Sequence, residues 1–309
     1  MRIIRHWQDT AAEAQGASAA IGNFDGVHRG HQRVIDLARR SDMPLGMVTF
    51  EPHPREYFAP ETPPFRLMNP EARANRLARL GVEFLYELPF DSGLAGLSAE
   101  GFARDVLAEG LGLRHVVVGA DFCFGKGRLG TASDLVSLGA QLGFEVTVAP
   151  LLADGDRVFS STAIRTALSE GRPRDAAAML GHWHRIEGEV LHGAKRGRDL
   201  GYPTANMSIA GLHPPRFGVY AVQVDILSGP HAGRHGGVAS LGVRPMFGEN
   251  LPNLETFLFD FTGDLYGTHL SVALIDHLRD EMRFESLDAL ITQMDADSAR
   301  ARAILAALD

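Results

Sequence analysis

The chain contains a single cysteine, Cys123, in 309 residues. One thiol cannot close an intramolecular disulfide, and its solitude excludes a zinc site built from several cysteines. Long apolar runs are missing as well: hydrophobic residues make up 45% and charged residues 22%, the profile of a globular protein with nothing that asks for a bilayer. The opening MRIIRHWQDT has no apolar stretch of the kind that heads a secretory signal, so the cytoplasm is the expected location. Positive charge is in deficit, with a formal net charge of −8. A general nucleic-acid binder needs a basic footprint to displace counterions, so no nucleic-acid or membrane partner is expected and any phosphate must be met locally. Internal repeats and low-complexity segments are absent too.

What is present is length enough for two domains and a change of pattern between them. From residue 18 to about 168, short apolar runs (SAAIGNF, LGMVTF, FLYELPF, HVVVGADF, FEVTVAP) alternate with stretches whose apolar residues recur at helical spacing. That alternation predicts an α/β, Rossmann-like parallel sheet covered by helices, with ligands beyond the carboxyl ends of the strands. Further on, HRIEGEVLHG, FGVYAVQVDI, HGGVASLG, LETFLFDF and HLSVALI follow one another with only turns between them, and a long helix starts near Ser286. This predicts an antiparallel β-barrel, or the related sandwich, with a C-terminal helix packed on it. The boundary falls near residues 170 to 184, giving domains 1–180 and 181–309. The Pro-rich segment 51–65 reads as one long irregular loop on the ligand side, hence a binding loop.

Gly22 lets the backbone turn after the first of these strands, and HRGHQRVI then opens a helix whose free amides favour an anion. His28 and His31 sit three apart at its mouth and face the same way. Two imidazoles there can donate to phosphate oxygens that gain charge during in-line displacement. A pair at this spacing can equally hold a metal, with His53 the only nearby third ligand by sequence, or serve the structure alone. Four glycines in GADFCFGKGRLG allow close backbone approach, although Phe122 and Phe124 can also simply fill the core. The hydroxyls of SSTAIR suit a helix cap, while Arg165 one turn on is better explained by phosphate oxygens. In the second half, the basic, glycine-rich HGAKRGRDLG is either a phosphate cradle or a solvated turn, and Thr204 and Asn206 are neutral oxygen donors on one side of an extended chain, suited to Mg²⁺.

Taken together, GNFDGVHRGH at 22–31, VGADFCFGKGRLG at 118–130 and FSSTAIRTAL at 159–168 resemble the HxGH nucleotidyltransferases, specifically the FAD synthetase branch. HGAKRGRDLGYPTANM at 192–207, FGVYAV, LGVRPMF and LETFLFDFTGDLYG resemble the riboflavin kinase domain. The chain is thus similar, over about nine tenths of its length, to the bifunctional riboflavin kinase/FAD synthetase family. The resemblance implies that ATP and riboflavin give FMN and ADP in the C-terminal domain, and that ATP and FMN give FAD and pyrophosphate in the N-terminal one, both with Mg²⁺. It assigns catalysis to His28, His31, Arg165 and Glu255, the last as base toward the riboflavin 5′-hydroxyl. ATP and flavin contacts fall to Gly22, Asn23, Phe24, Asp25, Gly30, Asp121, Phe122, Phe124, Gly125, Ser160, Ser161 and Thr162, and in the kinase half to Gly193, Lys195, Arg196, Gly197, Pro203 and Arg244. Thr204 and Asn206 are the implied Mg²⁺ ligands, and any self-association is expected to be weak. Two departures, Met246 after RP and Phe257 after ET, bear on flavin fit. A nucleotidyltransferase with another acceptor, or a flavin carrier without turnover, is the competing expectation.

Overall fold

A strand covered on both faces needs a near-continuous apolar run, and LGMVTFE and HVVVG carry one between their polar residues. In the computed structural model, which describes residues 1–8, 10–150, 153–154, 157–158, 160–192, 201–246 and 249–308, these become central strands of a parallel sheet. Backbone contacts divide the chain into two units, Met1–Thr62 with Arg73–Phe159, and Pro63–Ala72 with Ser160–Asp309.

The elements up to Phe159 run β1 (Arg2–Ile4), β2 (Ser18–Ile21), α1 (Arg29–Leu37), β3 (Leu45–Glu51), α2 (Pro54–Phe58), α3 (Pro70–Arg79) and β4 (Phe84–Pro89). Then come α4 (Ser92–Gly96), α5 (Ala99–Gly101), a π-type helix Phe102–Gly110, β5 (His115–Gly119), β6 (Cys123–Phe124), β7 (Gly130–Thr131), α6 (Ala132–Leu142), β8 (Glu145–Ala149), β9 (Ala153–Asp154) and β10 (Arg157–Val158). The sheet order is β1-β4-β3-β2-β5-β8, every pair parallel. Successive strands step away from β2 on one side, and β5 then returns to its other side. Such a reversal opens a crevice at the carboxyl ends of β2 and β5, which places the chain after each of them at the ligand side. The edge strand β1 is an addition to the sequence expectation, because three residues are too few to show a period. The segment 51–65 also differs from the expected irregular loop. Pro54 opens α2, His53 accepts from the Arg55 N–H at 3.0 Å, and Glu56 accepts from the His53 N–H at 3.2 Å, a reciprocal cap that nucleates the helix.

At the opposite, amino ends of the strands lies a closed polar network. Ser18 donates its one hydroxyl proton to the Ala38 carbonyl at 2.6 Å, so His115 Nδ1, 2.7 Å away, must donate to Ser18. His115 Nε2 then accepts from Thr147 at 2.8 Å. Burial, then the nearby Arg40, holds the His115 pKa below its ordinary value.

The second unit begins with the strap 63–72. Arg66 bridges to Leu212, Asn69 donates to the Glu187 carbonyl at 2.9 Å, and Leu67 is buried with Ile164, Leu168, Ala176 and Leu180. These last four lie on α7 (Ser161–Ser169) and α8 (Pro173–Leu180), which therefore group with the barrel although they precede residue 181. The barrel strands are β11 (Arg185–Glu189), β12 (Thr204–Ser208), β13 (Gly218–Ile226), β14 (Gly233–Met246), β15 (Glu249–Leu258) and β16 (His269–Arg279), followed by α9 (Leu287–Ala306). They pair in the order β11-β16-β13-β14-β15-β12, and a Leu191–Asn206 bridge nearly closes the ring. Five of the six were visible as apolar runs. β12 was not, because only Ala205 and Met207 of TANMS turn inward, the three alternate positions Thr204, Asn206 and Ser208 being polar. Side chains alternate between an inner core (Ala239, Leu241, Leu254, Leu258) and an outer face whose Val219, Val238 and Phe257 pack with Ala301, Ile304 and Leu305 of α9. Ser286 caps that helix, its Oγ accepting from the Ala289 N–H at 3.1 Å.

His184, just before β11, is 3% exposed, and burial, reinforced by His182 and His213, pushes its pKa down to about 3. Above about pH 6.5 the ring is neutral whether the chain is folded or not, so nothing is at stake. Below that, the unfolded chain binds a proton that the folded one refuses, and stability falls as pH is lowered toward the folded value, by about 1.4 kcal/mol per pH unit for a ring held fully neutral. The melting temperature is therefore expected to fall between pH 7 and pH 5, with a shallower slope in His184→Gln. An equal slope in both proteins would remove His184 as its source.

Candidate functional site

After β2, the Gly22 N–H donates to Val48 at 3.1 Å, and the chain then turns with Phe24 at φ 52°, Gly26 at 85° and Val27 at 44°. A β-branched residue in the left-handed region is strained. The conformation is held because Phe24 and Val27 are buried, as is Asp25, while Thr49 donates to the Asn23 carbonyl at 3.4 Å. The turn delivers His28 as the cap of α1, where its Nδ1 accepts from the His31 N–H at 3.3 Å. A ring nitrogen that accepts carries no proton, so neutral His28 keeps its proton on Nε2. His31 stacks on it with centroids 3.6 Å apart and planes at 16°, and meets the edge of Phe24 at 5.2 Å. His31 Nδ1 is sealed from solvent with no hydrogen-bond partner in the protein. Burial first, then His28, pushes the His31 pKa well below the usual imidazole range. The resting pair is thus a neutral stack at a helix N-terminus, with a polar atom that only a bound group can satisfy. Gly30 lies between the two in the first turn.

The metal alternative finds no support: His53 is engaged in capping α2, and among the described residues no group of three or more His, Cys, Asp or Glu is placed to hold an ion.

The stretch after β5, the strand paired with β2, carries the second motif. Phe124 is buried against Phe102 at 5.8 Å and Phe122 stacks on it at 5.5 Å from the rim of the core. Core packing therefore accounts for Phe124, and Asp121 is exposed. Gly125 has φ 72°, and a Cβ there would lie 2.6 Å from the Ala99 nitrogen, so only glycine fits. Near these loops the sequence reading missed an aromatic surface: Tyr57, Phe58 and Phe90 meet edge to face at 5.1 to 5.7 Å, with Phe58 66% exposed. Its signal was the EYF inside the supposed loop.

Ser160, Ser161, Thr162 and Arg165 fall in the second unit. Ser160 is the cap of α7, accepting from the Ala163 N–H at 3.2 Å, which is the ordinary fate of serine at a helix start. Thr162 is exposed. Arg165 donates Nε to the Phe65 carbonyl and lies 5.4 Å from the Phe65 ring, so it also fastens α7 to the strap.

The second candidate site is a cavity of about 280 Å³ between the outer face of the barrel and α9. Thr204, Ser240, Glu255, Phe257 and Arg279 line it from the sheet, and Met294 lines it from α9. Glu255 sits mid-strand, paired with Asn206 of β12 and Ser240 of β14. Asn206 is buried, and its Nδ2 donates to the Thr204 carbonyl at 3.3 Å, which orients the amide so that its oxygen offers lone pairs to a hydrogen-bond donor or a cation. Tyr202 packs on Phe257 at 4.7 Å and donates to Asp295 of α9. Arg279 grips Asp297 of α9 at 2.8 to 3.2 Å, holding the helix as the cavity wall. Glu281 lies over Gly242, where a Cβ would come within 2.3 Å of its carboxylate. These α9 and β16 residues were beyond sequence reasoning, because nothing in their spacing says which barrel face the helix covers. Pro203 is exposed beside the cavity residue Thr204. Gly193, Lys195, Arg196 and Gly197 lie outside the described residues, as does the side chain of Arg244 on β14.

Two family models match the chain, one in each half. The FAD synthetase model matches residues 10–163 and the riboflavin kinase model residues 180–305, so the chain is a flavin transferase with two catalytic modules. Curated relatives named bifunctional riboflavin kinase/FMN adenylyltransferase align along its whole length. That of Pseudomonas fluorescens is 44% identical, covering 99% of this chain and 98% of its own. The Escherichia coli K12 protein is 38% identical (98% and 97%) and the Bacillus subtilis one 35% (96% of each). The chain belongs to the bifunctional riboflavin kinase/FMN adenylyltransferase family: with ATP it converts riboflavin to FMN and FMN to FAD. A crystal structure from Streptococcus pneumoniae described as a macrolide-efflux protein is 33% identical, with a TM-score of 0.82 over 97% of this chain and 98% of that one. Among the described residues of the present chain, no helix is long and apolar enough to cross a membrane.

Proposed function

We propose that residues 1–180 carry the adenylyl transfer and residues 181–309 the phosphorylation, through the residues named above. In the first step the riboflavin 5′-hydroxyl enters the barrel cavity, Glu255 takes its proton, and the freed oxygen attacks the γ-phosphorus of ATP while ADP leaves. In the second, a phosphate oxygen of FMN attacks the α-phosphorus of a second ATP and pyrophosphate leaves. His28 and His31 give N–H donors to oxygens whose charge grows in that displacement, at a helix mouth that already favours an anion. Ser160 to Thr162 and Arg165 serve phosphates in this reading, and Gly22 to Asp25, Gly30 and the 121–125 stretch contact nucleotide and flavin. The exposed rings of Tyr57 and Phe58 offer an apolar platform for a flat ring system.

Mg²⁺ fits the second site, since the Thr204 hydroxyl and the oriented Asn206 oxygen are hard donors beside a carboxylate. When bound with ATP it supplies neutralisation of phosphate charge. Gly193, Lys195, Arg196, Gly197, Pro203 and Arg244 are kept as nucleotide contacts on their sequence pattern. The acidic net charge supports a protein without a nucleic-acid partner, and the single cysteine supports a cytoplasmic location.

The observation that carries this reading is that Glu255, half-buried, lines the cavity between the barrel and α9 together with Thr204, where a fully solvated surface glutamate would have no such setting. Incubating the purified protein with riboflavin, ATP and Mg²⁺, then separating flavins by chromatography, should show FMN first and FAD second, both stopped by a chelator. Turnover that persists undiminished with excess chelator would overturn the metal assignment.

A further inference from the structure

We infer that Arg73 is a positioning residue for adenylyl transfer: through Glu51 it fixes the aromatic platform of α2, a role resting on the reading of Tyr57 and Phe58 as the seat of the flavin ring. Arg73 lies on α3 and its side chain is 4% exposed. Its Nη2 donates to Glu51 Oε2 at 3.1 Å and to Glu87 Oε2 at 3.0 Å, and Glu87 is paired in turn with Arg5 at 3.3 Å. All four residues belong to the first unit. β3 and β4 run parallel with Thr49 opposite Glu87 and Glu51 opposite Pro89, so both carboxylates lie on one face of the sheet, toward its carboxyl end. A buried ion pair often adds no more stability than well-packed apolar side chains would, so its distinctive contribution here is a fixed geometry.

That geometry matters because of what Glu51 carries. It is the last residue of β3, and its carbonyl accepts the Phe90 N–H at 3.0 Å. Just beyond it His53 caps α2, and the helix turns Tyr57 and Phe58 back onto Phe90 at 5.4 and 5.7 Å. All three rings are thus referred to one residue, and Arg73 ties that residue to β4 by its side chain. Tyr57 and Phe58 are both exposed, so core burial does little to place them. Arg73, sealed from solvent, touches no reacting atom. Without its link the platform shifts, and the flavin is held less well in ground and transition states alike, which raises KM and leaves kcat.

The test uses the full-length protein and steady-state FAD formation from FMN, with riboflavin phosphorylation as the internal control. Glu51→Ala is expected to raise the KM for FMN about tenfold, with kcat and the KM for ATP within about twofold of the wild type and phosphorylation intact. Glu51→Gln, which still offers an oxygen to the guanidinium, should restore the FMN KM. Arg73→Met leaves Glu87 its Arg5 partner and should raise the FMN KM by the same factor, and joining it to Glu51→Ala should add nothing. The Glu51 variants keep the buried Arg73–Glu87 pair, so they decide the matter even if Arg73→Met does not fold. If Phe58→Ala raises the FMN KM while Glu51→Ala leaves it at the wild-type value, the role of Arg73 is overturned and the platform stands. If Phe58→Ala leaves it unchanged, the platform reading fails and the positioning role falls with it. An FMN KM as high in Glu51→Gln as in Glu51→Ala would show the carboxylate acting by its own charge, and additive losses in the double variant would show two separate roles; either overturns the proposal. So would a proportional loss of both activities in Glu51→Ala, the mark of a general fold defect.

Discussion

Replacing His28 and His31 together with alanine is expected to abolish FAD formation from FMN while riboflavin is still turned into FMN. One preorganised donor to a charge that develops in the transition state is worth on the order of 10²–10³ in rate. Two rings stacked 3.6 Å apart act as a unit, so their joint loss is expected to reach or exceed the single-donor figure without being its square. The neutral resting state of His31 sharpens the expectation, because its value lies in an N–H offered to phosphate and not in a standing positive charge. His28 also caps α1, and losing a cap costs about 1 kcal/mol, so His28→Asn, which can still accept the His31 N–H, separates chemistry from folding. Chromatography of the flavins checks the prediction, with FMN production as proof that the chain is folded. Undiminished FAD synthesis in the double variant would remove the histidines from the reaction.

Glu255→Gln is the second large effect. Glutamine keeps the shape and the cross-strand setting between Asn206 and Ser240 but cannot take a proton, so riboflavin phosphorylation should fall roughly 10²–10⁴-fold. FAD formation from supplied FMN should survive, since the matched FAD synthetase region ends at residue 163. A steady-state comparison of the two reactions in one preparation decides it. Loss of both in proportion would point to a fold defect, and retention of both would exclude Glu255 as base.

The strands buried on both faces announced themselves because their apolar runs are uninterrupted, and the His28–His31 spacing could be read because a helix repeats every 3.6 residues. Short elements escaped for the same physical reason in reverse. β1 has three residues, and β12 is mostly polar outside its Ala205 and Met207. α2 is five residues started by a histidine cap, a residue whose capping depends on which ring nitrogen is free. The cavity was illegible for another reason. Glu255 was singled out by motif, whereas Ser240, Arg279 and Asp297 come to line the same cavity only through strand register and the seating of α9, which are properties of three-dimensional packing. Arg165 shows the limit of motif reading: the guanidinium marked for phosphate also holds Phe65.

The strap 63–72 has a consequence for how the protein is made. A ribosome releases Phe65 a full 100 residues before its partner Arg165 exists, and Asn69 waits 118 residues for Glu187. Most of the α/β half can therefore fold during synthesis while this short piece, with Leu67 still unburied, stays unspent in the middle of it. The last half of the chain then has to gather a segment translated much earlier, closing a long loop before its own apolar cluster is complete. A gene cut at residue 180 would leave the strap together with α7 and α8 on the first piece, and the barrel would be delivered without the Asn69 and Arg66 contacts made to Glu187 and Leu212.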